Sequence, residues 1–176
     1  FLEFLIFALL MTPFVVFLVG LFRKKGLNPL IISRGYKRKT RGQILFNSKS
    51  EKTFQEVGDE PLLMSIMCPE TDIIVNKNRR EAIKCAEKSE KKYDIIILDD
   101  AFQHRSVDRD FNILLINSNQ NLSDCLPKGD LREPIKNIKR ASCIVFTKSS
   151  SSNVPKIFSN SDIPVFKSSE SFSVSD

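Results

Sequence analysis

Two adjacent aspartates, Asp99 and Asp100, directly follow the apolar run IIIL at residues 95–98. Two carboxylates side by side at the edge of an apolar sheet repel each other unless a cation or a hydrogen-bond donor lies between them. Mg²⁺ prefers such hard oxygen ligands while it keeps several waters. An apolar strand that ends in aspartate is also the Walker B pattern, in which the carboxylate holds Mg²⁺ on a nucleotide phosphate. The pattern indicates a magnesium–nucleotide site, although strand-end turns and helix caps show it as well.

Four further features carry ionisable groups, and each has a purely structural alternative. His104 is the only histidine of the chain and is either a catalytic residue or a hydrogen-bonded structural histidine. Asp59 in VGDEP is either an active-site carboxylate or the cap of a following helix. Arg132 and Glu133 in LPKGDLREP belong either to a site or to a surface ion pair. The basic loop RGYKRKTRG at residues 34–42 either binds an anion or is merely solvated.

Short buried strands must position these residues. Apolar runs without alternation are typical of strands covered on both faces, and here helical or loop segments separate such runs. This order predicts an α/β fold with a mostly parallel sheet and helices on both faces. Ligands of open parallel sheets gather outside the carboxyl ends of the strands, where Asp99 is expected. The predicted strands are NPLIIS, TDIIVNKN, YDIIILDD, FNILLIN, ASCIVFTK and IPVFK. The predicted helices lie in VGDEPLLMSIM and RREAIKCAEKSEKK. A turn is predicted at residues 127–130.

The amino-terminal segment, residues 1–22, is apolar apart from Glu3, and three basic residues follow it at 23–25. Its length suits a membrane-spanning helix of about 20 residues. The basic flank predicts that the end near residue 23 would face the cytoplasm. The segment is therefore a candidate membrane span.

A soluble helix is the alternative prediction for the same segment. Thr12 is a good N-cap, and Pro13 suits the first position of a helix. Gly26 is a suitable residue to end that helix, after two lysines that favour a helix carboxyl terminus. On this alternative, residues 13–25 form a core helix and residues 1–11 form a strand and a turn.

The composition is that of an ordinary globular protein, with 41% hydrophobic and 27% charged residues, which excludes wholesale disorder. The net charge of +6 suits nucleic acid, anionic lipid or phosphorylated substrates and does not choose among them. Nucleic-acid binding is disfavoured, because no aromatic residues are interleaved with the cations of KRKTR and no nucleic-acid-binding signature is present. The four cysteines show no CxxC spacing, which predicts reduced cytosolic thiols.

Together and in this order, the segments SRGY, VGDEP, ILDDAFQHR and LPKGDLREP closely resemble the signature segments of the tetraacyldisaccharide 4′-kinases, the lipid A kinases of Gram-negative bacteria. The resemblance runs from about Thr12 to Lys148. It implies a P-loop NTPase-like kinase at the cytoplasmic face of the bacterial inner membrane, with ATP and Mg²⁺ as cofactors. The implied partner is the lipid A precursor tetraacyldisaccharide 1-phosphate, whose 4′-hydroxyl receives the γ-phosphate of ATP.

The resemblance also implies a role for each matching residue. Asp59 corresponds to the catalytic base, with Glu60 beside it. Asp99 and Asp100 correspond to the Walker B pair, and Thr12 corresponds to a hydroxyl that contacts Mg²⁺ and phosphate. The basic loop beyond the SRGY segment suits an anionic lipid or a headgroup surface. The other implied residues of the active site and its rim are Ser33, Arg34, Tyr36, Gln103, His104, Arg132 and Glu133, and among these His104 is counted as catalytic.

One segment departs from the family pattern. Members carry a phosphate loop of the form GGTGKTP where this chain reads FALLMTP, so that only Thr12 and Pro13 match. Met11 stands where the family has a lysine that bridges the β- and γ-phosphates, and the glycines that let backbone N–H groups close around phosphate are absent. Losing such a preorganised contact predicts weak ATP binding and transfer slowed by on the order of a hundredfold.

These observations divide the chain into an apolar segment at 1–22, a P-loop kinase-like core at 23–148, and a serine-rich linker or the start of a truncated C-terminal domain at 149–176. A second hypothesis is a catalytically inactive, membrane-anchored P-loop-like module that binds lipid or a partner protein. It rests on the apolar start and on the missing glycine loop.

Overall fold

A computed structural model of the chain describes residues 2–118, 120–147, 158 and 162–168, with side chains from Met11 onward. The chain divides into two units, Phe1–Val107 and Asp108–Asp176, and each has its own sheet. The boundary between them lies inside the core predicted at 23–148, whose limits stay a prediction. In chain order the elements are α1 (Leu2–Lys24), β1 (Pro29–Ser33), β2 (Ile44–Phe46), α2 (Phe54–Val57), α3 (Asp59–Met67), β3 (Asp72–Val75), α4 (Arg79–Glu87), β4 (Ile95–Leu98), β5 (Ile113–Asn117), a 3₁₀ helix (Ile135–Arg140), β6 (Cys143–Thr147) and β7 (Val165–Lys167).

The sheet of the first unit has the strand order β2-β3-β1-β4. β1 lies between β3 and β4 and pairs with both in parallel, so that Ile31 lies opposite Ile73 on one side and Ile97 on the other. β2 pairs with β3 in the antiparallel direction at the edge. All five residues of β1 are buried, as expected for a central strand covered on both faces.

Helices cover both faces of this sheet, which confirms the predicted α/β class. Ile31 belongs to a core shared with α1 and α3, whose other buried members include Val15, Val19, Met64, Ile73, Val75 and Ile97. Leu30 and Ile32 belong to a second core, shared with α4 and completed by Ile74, Ala82 and Ala86. The side chains of successive strand residues alternate between the faces, and an unbroken apolar run therefore serves two cores.

The helix α1 is longer than the soluble alternative predicted. It runs without a break from Leu2 to Lys24 and contains Pro13 in its interior, so the predicted strand and turn at residues 1–11 and the N-cap role of Thr12 are wrong. The residues before Pro13 include leucine, alanine and methionine, which are good helix formers. They continue the helix although a proline removes one ladder hydrogen bond.

The carboxyl end of α1 agrees with the prediction. Gly26 has a positive φ of 77°, and the backbone N–H groups of Gly26 and Leu27 donate to the carbonyls of Arg23 and Phe22. Among the residues whose side chains are described, no helix is long and apolar enough to cross a membrane. The membrane span predicted at 1–22 falls partly on side chains outside that description.

The second unit contains three described strands in the order β5-β6-β7, all parallel. Its central strand β6 is buried at all five positions. The prediction of a short strand at IPVFK is confirmed by β7. The predicted turn at residues 127–130 is also present: the N–H groups of Lys128 and Gly129 both donate to the carbonyl of Cys125, and Leu126 donates to Leu131.

Three short elements were not predicted: β2, α2 and the 3₁₀ helix Ile135–Arg140. The strand β2 has only three residues, Ile44–Phe46, and is too short to show a period. The helix α2 follows a capping signal in TFQE, where the Glu56 carboxylate accepts the backbone N–H of Thr53 at 2.9 Å. A threonine three residues before a glutamate is a known start signal for a helix. This signal was available in the sequence for α2.

A buried carboxylate ties the amino ends of the strands together, at the edge of the sheet opposite Asp99. Asp72, the first residue of β3, accepts hydrogen bonds from Asn47 at 2.9 Å, Lys91 at 2.7 Å and Tyr93 at 2.9 Å. Burial alone raises the pKa of Asp72, but these three donors outweigh it and hold the pKa below its usual value. Burial and the hydrogen bond to Asp72 raise the pKa of Tyr93 to about 12.

Replacing Asp72 by asparagine is expected to lower the free energy of unfolding at pH 7 by about 2 kcal/mol, because an amide NH₂ in place of Oδ2 cannot accept from Lys91 and Tyr93. The pKa of Asp72 is lowered on folding, so its stabilisation is complete above the unfolded pKa and is lost as the pH falls through the folded one. Urea unfolding of both proteins at pH 7 and pH 3 measures this, and the difference should shrink at pH 3.

The matched control is Glu70→Gln, since Glu70 is exposed and pairs with Lys49 across the surface. Surface pairs of this kind contribute little to stability. Equal losses in the two variants, or a loss in Asp72→Asn that persists at pH 3, would contradict the assigned role of the Asp72 cluster.

Candidate active site

Ser33 and Asp99 meet where two parallel strands leave the sheet. The pairing of Ile32 with Leu98 makes Ser33 and Asp99 the next residues on β1 and β4. The hydroxyl of Ser33 donates to Asp99 Oδ2 at 2.8 Å, and the backbone N–H of Asp99 donates to the Ile32 carbonyl at 2.9 Å. The carboxylate therefore lies at the carboxyl edge of the sheet, as the sequence predicted.

The Asp99 carboxylate is buried without full compensation of its charge. The residue is 2% exposed, and its Oδ1 atom has no hydrogen-bond partner in the described part of the chain. Burial, reinforced by the charge of Asp100, raises the pKa of Asp99 to about 6, while the hydrogen bond from Ser33 opposes this shift. A buried carboxylate oxygen without a donor is costly, and a bound cation would remove that cost.

Arg79 fixes the turn that carries both aspartates. This first residue of α4 is 1% exposed, and its Nη2 atom donates to the carbonyls of Asp99 at 2.6 Å and Asp100 at 2.9 Å. Asp100 itself has a positive φ of 44°, an uncommon conformation for a residue with a side chain. Arg79 was not predicted from the sequence. The available signal was an arginine at a helix start just after a strand that ends at the same sheet edge.

Asn76 extends the same edge beyond β3 and was also missed. Its backbone N–H donates to the Ser33 carbonyl at 3.0 Å. Its side chain donates to Gln43 at 3.2 Å and accepts the N–H of Asn78 at 2.9 Å. Asn78 in turn is the N-cap of α4 and accepts the N–H of Glu81. The loop between β3 and α4 is thus fastened to the strand that ends in Ser33.

The SRGY and VGDEP segments are in close backbone contact. Gly58 has a φ of 96°, and a Cβ placed on it would lie 2.9 Å from the Tyr36 carbonyl oxygen. Gly35 has a φ of 67°, and a Cβ there would lie 2.8 Å from the carbonyl oxygen of Val57. Only glycine combines such φ values with so close an approach. The two segments can pack together only because both positions are glycine.

Asp59 begins α3 immediately after this contact. Gly58 is the N-cap of the helix, and no side chain caps it, so the alternative that Asp59 is a capping residue is wrong. Asp59 is exposed and Glu60 half-buried, both in the first turn. Negative charge is favourable at a helix amino terminus, and the exposed carboxylate of Asp59 is accessible to a substrate hydroxyl.

The residues after Asp100 form tight turns. The backbone N–H of His104 donates to the Ala101 carbonyl at 2.9 Å, and its Nε2 atom lies 3.3 Å from the Ser106 hydroxyl. Gln103 is exposed. Arg34 and Tyr36 are exposed as well, in the loop after β1. The structure therefore places these predicted site residues in the loops that follow β1 and β4.

Arg132 and Glu133 belong to the second unit. Glu133 pairs with Arg140 and accepts a hydrogen bond from Asn137 at 2.8 Å. Glu133 is thus paired with a residue seven positions further along the chain. Arg132 is exposed.

Thr12 is the remaining predicted ligand. It lies within α1, is 2% exposed, and its hydroxyl has no hydrogen-bond partner in the described part of the chain. Thr12 and Asp99 thus each keep a buried oxygen available, and hydroxyl and carboxylate oxygens are ligands that Mg²⁺ accepts. The described residues contain no cluster of three or more His, Cys, Asp or Glu that could hold a metal. Mg²⁺ on a nucleotide needs only one or two protein carboxylates beside phosphate oxygens and water, and the unpaired Asp99 Oδ1 fits that role.

Comparison with known proteins gives a consistent result. The family model described as tetraacyldisaccharide-1-P 4′-kinase matches residues 11–173. A tetraacyldisaccharide 4′-kinase of Aquifex aeolicus is 38% identical over 139 residues, which are 77% of this chain and 43% of that protein. The enzyme of the same name from Pelodictyon phaeoclathratiforme is 40% identical over 143 residues, which are 78% of this chain and 40% of that protein.

A solved structure is also similar. The crystal structure of LpxK from Aquifex aeolicus in complex with ATP superposes with a TM-score of 0.75 at 34% sequence identity, over 89% of this chain and 49% of that one. The chain thus spans about two fifths of the length of the curated relatives named above.

Replacing Asp99 by asparagine is expected to change how stability depends on pH. The pKa of Asp99 is raised to about 6 in the folded chain, so between about pH 4 and pH 6 the folded chain holds a proton that the unfolded chain has released. Asp99 therefore lowers stability as the pH rises through this interval. Asparagine does not titrate and keeps an oxygen for Ser33, so the variant should gain on the order of 1–3 kcal/mol relative to wild type between pH 4 and pH 7.

Denaturant unfolding of both proteins across this pH range measures the difference. Asp59→Asn is the control, since it removes an exposed carboxylate and should shift the profile far less. A difference between wild type and Asp99→Asn that is constant with pH would contradict the raised pKa.

Proposed function

The chain belongs to the tetraacyldisaccharide-1-P 4′-kinase family, and from that membership we propose that it supplies the nucleotide-binding part of a kinase. The proposed reaction transfers the γ-phosphate of ATP to the 4′-hydroxyl of tetraacyldisaccharide 1-phosphate. The observation that carries this proposal is the buried Asp99 at the carboxyl edge of the sheet, held by Ser33 through one oxygen and open at the other. The ATP in the similar crystal structure supports the choice of nucleotide.

In this proposal Asp59 is the general base. A sugar hydroxyl attacks phosphorus more readily when a carboxylate accepts its proton, and that carboxylate must come within hydrogen-bond reach. Asp59 is exposed at the first position of α3. The contact between Gly35 and Gly58 fixes the start of that helix beside the loop after β1, so the base is held by backbone packing.

Asp99 and Thr12 would hold Mg²⁺, with Asp100 next to it. When bound, the ion neutralises charge on the transferred phosphate and on the leaving group. Arg79 keeps the Asp99–Asp100 turn in shape through their carbonyls. Its guanidinium therefore supports the carboxylates without pairing with Asp99 Oδ1, which remains available as a ligand.

The other residues at the loops after β1 and β4 are proposed to contact substrate or to shape the site. They are Ser33, Arg34, Tyr36, Glu60, Gln103 and His104. For the second unit, Arg132 and Glu133 are proposed to lie at the rim, because they match the REP segment of the family. His104 is proposed to take part in catalysis, since its ring is near a hydroxyl and neutral imidazole readily exchanges protons.

The proposed place of action is the cytoplasmic face of the inner membrane. An acceptor with four acyl chains resides in a bilayer, and the kinase must reach its sugar from the aqueous side that contains ATP. The apolar helix α1 exposes Phe17 and Leu21 and ends in basic residues. Such a combination favours contact with an anionic membrane surface.

A second candidate function is a catalytically inactive, membrane-anchored module that binds lipid or a partner protein. One observation favours it. The segment that matches the phosphate loop is helical through Met11 and Thr12, and in a helix the backbone N–H groups are engaged by carbonyls and are unavailable to phosphate. Flotation with vesicles in the absence of ATP binding would favour this function, whereas tight ATP binding would exclude it.

Restoring the family loop is expected to restore nucleotide binding. The graft variant carries Phe7→Gly, Ala8→Gly, Leu9→Thr, Leu10→Gly and Met11→Lys. Glycines allow backbone N–H groups to surround the phosphates and the lysine adds a positive charge, so Mg²⁺–ATP should bind on the order of a hundredfold more tightly than to the present chain. Titration calorimetry measures the two affinities.

The control for the graft keeps Met11 and carries the other four substitutions. It should recover only part of the affinity, because it lacks the lysine. If the complete graft binds ATP no better than the present chain, the proposed nucleotide site is wrong.

The roles of Asp59 and Asp99 should be separable in the graft variant. Asp99→Ala is expected to weaken Mg²⁺–ATP binding by about tenfold or more, since it removes a charged contact. Asp59→Ala should leave this affinity within about twofold and slow transfer to the lipid by on the order of a hundredfold or more, since it removes the base. Calorimetry with Mg²⁺–ATP and a radiolabel transfer assay report the two effects. Weakened ATP binding in Asp59→Ala would refute the assigned division of roles.

A further inference from the structure

Within the basic loop, exposed and half-buried side chains alternate along residues 37–41. Lys37, Lys39 and Arg41 are exposed, whereas Arg38 and Thr40 between them are half-buried. A merely solvated loop would have no reason to alternate. The pattern means that one set of side chains holds the loop in place and the other set faces the solvent.

The inward side chains fasten the loop on two sides. Arg38 donates through Nη1 to the Val75 carbonyl at the end of β3, at 3.3 Å, and through Nη2 to the carbonyl of Gly42. Thr40 donates to the Glu56 carbonyl in α2. Burial lowers the pKa of Arg38, as expected for a guanidinium withdrawn from water.

The backbone adds a further tie to α2. The N–H of Lys39 donates to the Gln55 carbonyl at 2.7 Å. α2 is followed directly by Gly58, which packs on the Tyr36 carbonyl, and then by Asp59. The exposed cations Lys39 and Arg41 therefore project from a fixed loop that is packed against the segment leading into the proposed base.

The proposed acceptor has a chemical group that suits this loop. Its name places a phosphate at position 1, on a different sugar from the 4′-hydroxyl that reacts. A group that binds this phosphate should lie about the length of a disaccharide from the base, on a separate fixed segment. Arginine matches a phosphate with a planar pair of donors, and lysine adds a compact positive charge.

We propose that Lys39 and Arg41 form the binding site for the phosphate monoester of the acceptor, and that Arg38 and Thr40 are the residues that position them. This inference rests on the proposed function for the identity of the acceptor. It assigns to the loop the recognition of one end of the lipid, while Asp59 acts at the other end.

The test measures binding of the present chain to lipid in micelles of a neutral detergent, without nucleotide. Three lipids are compared by titration calorimetry: tetraacyldisaccharide 1-phosphate, the same lipid with a 1-hydroxyl, and phosphatidylglycerol. Wild type is expected to bind the 1-phosphate lipid about tenfold more tightly than either of the others, the effect of one or two exposed charge-assisted hydrogen bonds. The double variant Lys39→Gln/Arg41→Gln should lose this preference.

The matched control is Lys84→Gln/Lys88→Gln, which removes the same charge from exposed positions on and just after α4. α4 covers the opposite face of the sheet from α3, so this variant should keep the preference. Thermal melting of all proteins checks that the fold is retained, and the comparison of the three lipids on wild type alone remains decisive if a variant fails to fold.

Three outcomes would overturn the inference. Wild type could bind the 1-phosphate and 1-hydroxyl lipids equally, Lys39→Gln/Arg41→Gln could keep the preference, or phosphatidylglycerol could bind as tightly as the 1-phosphate lipid. The last outcome would assign the loop to general headgroup capture. Because no nucleotide is present, failure of ATP binding in the graft variant would refute the kinase proposal without altering this result.

Discussion

The parallel pairing of β1 with β4 is the constraint on which the candidate site depends. It fixes which residues leave the sheet together, and the register makes them Ser33 and Asp99. A shift by one residue would turn every side chain of the strand to the other face. It would turn Ile31 and Ile32 toward the opposite cores and would move the Ser33 hydroxyl away from the Asp99 carboxylate. The two apolar cores therefore fix the strand register, and the register brings Ser33 into contact with Asp99 at the strand ends.

The loops beyond the sheet depend on a second kind of constraint, the close approach of backbone to backbone. Gly35 and Gly58 allow the segment after β1 to lie against the start of α3. The basic loop then continues from the same contact and is fastened to α2 and to β3 by Arg38 and Thr40. The proposed base Asp59, the basic loop and the buried carboxylate of Asp99 are in this way attached to one four-stranded sheet, although they come from separate parts of the chain.

The strands and the position of Asp99 were predictable, because unalternated apolar runs are typical of strands buried on both faces and the residue after such a run lies at the carboxyl edge of a parallel sheet. Arg79 and Asn76 were not, since their roles arise from strand adjacency, and a local pattern does not reveal which strands are neighbours. The start of α1 was misjudged because Pro13 gives the same local signal at a first turn and inside a helix. The pairing of Glu133 with Arg140 was not predictable either, because it depends on the 3₁₀ helix Ile135–Arg140. The roles assigned to the site residues stay predictions.

Arg79 donates its hydrogen bonds to the carbonyls of the Asp99–Asp100 turn and not to the Asp99 carboxylate oxygen Oδ1. This arrangement has a thermodynamic consequence. The positive charge of Arg79 lowers the pKa of Asp99 somewhat, but Oδ1 has no hydrogen-bond partner in the described part of the chain. The buried carboxylate therefore has a cost in the folded chain that protonation removes below about pH 6. Because a ligand that binds only the folded state adds its binding free energy to stability, a cation bound as proposed would remove the same cost at higher pH and would couple occupancy of the site to folding.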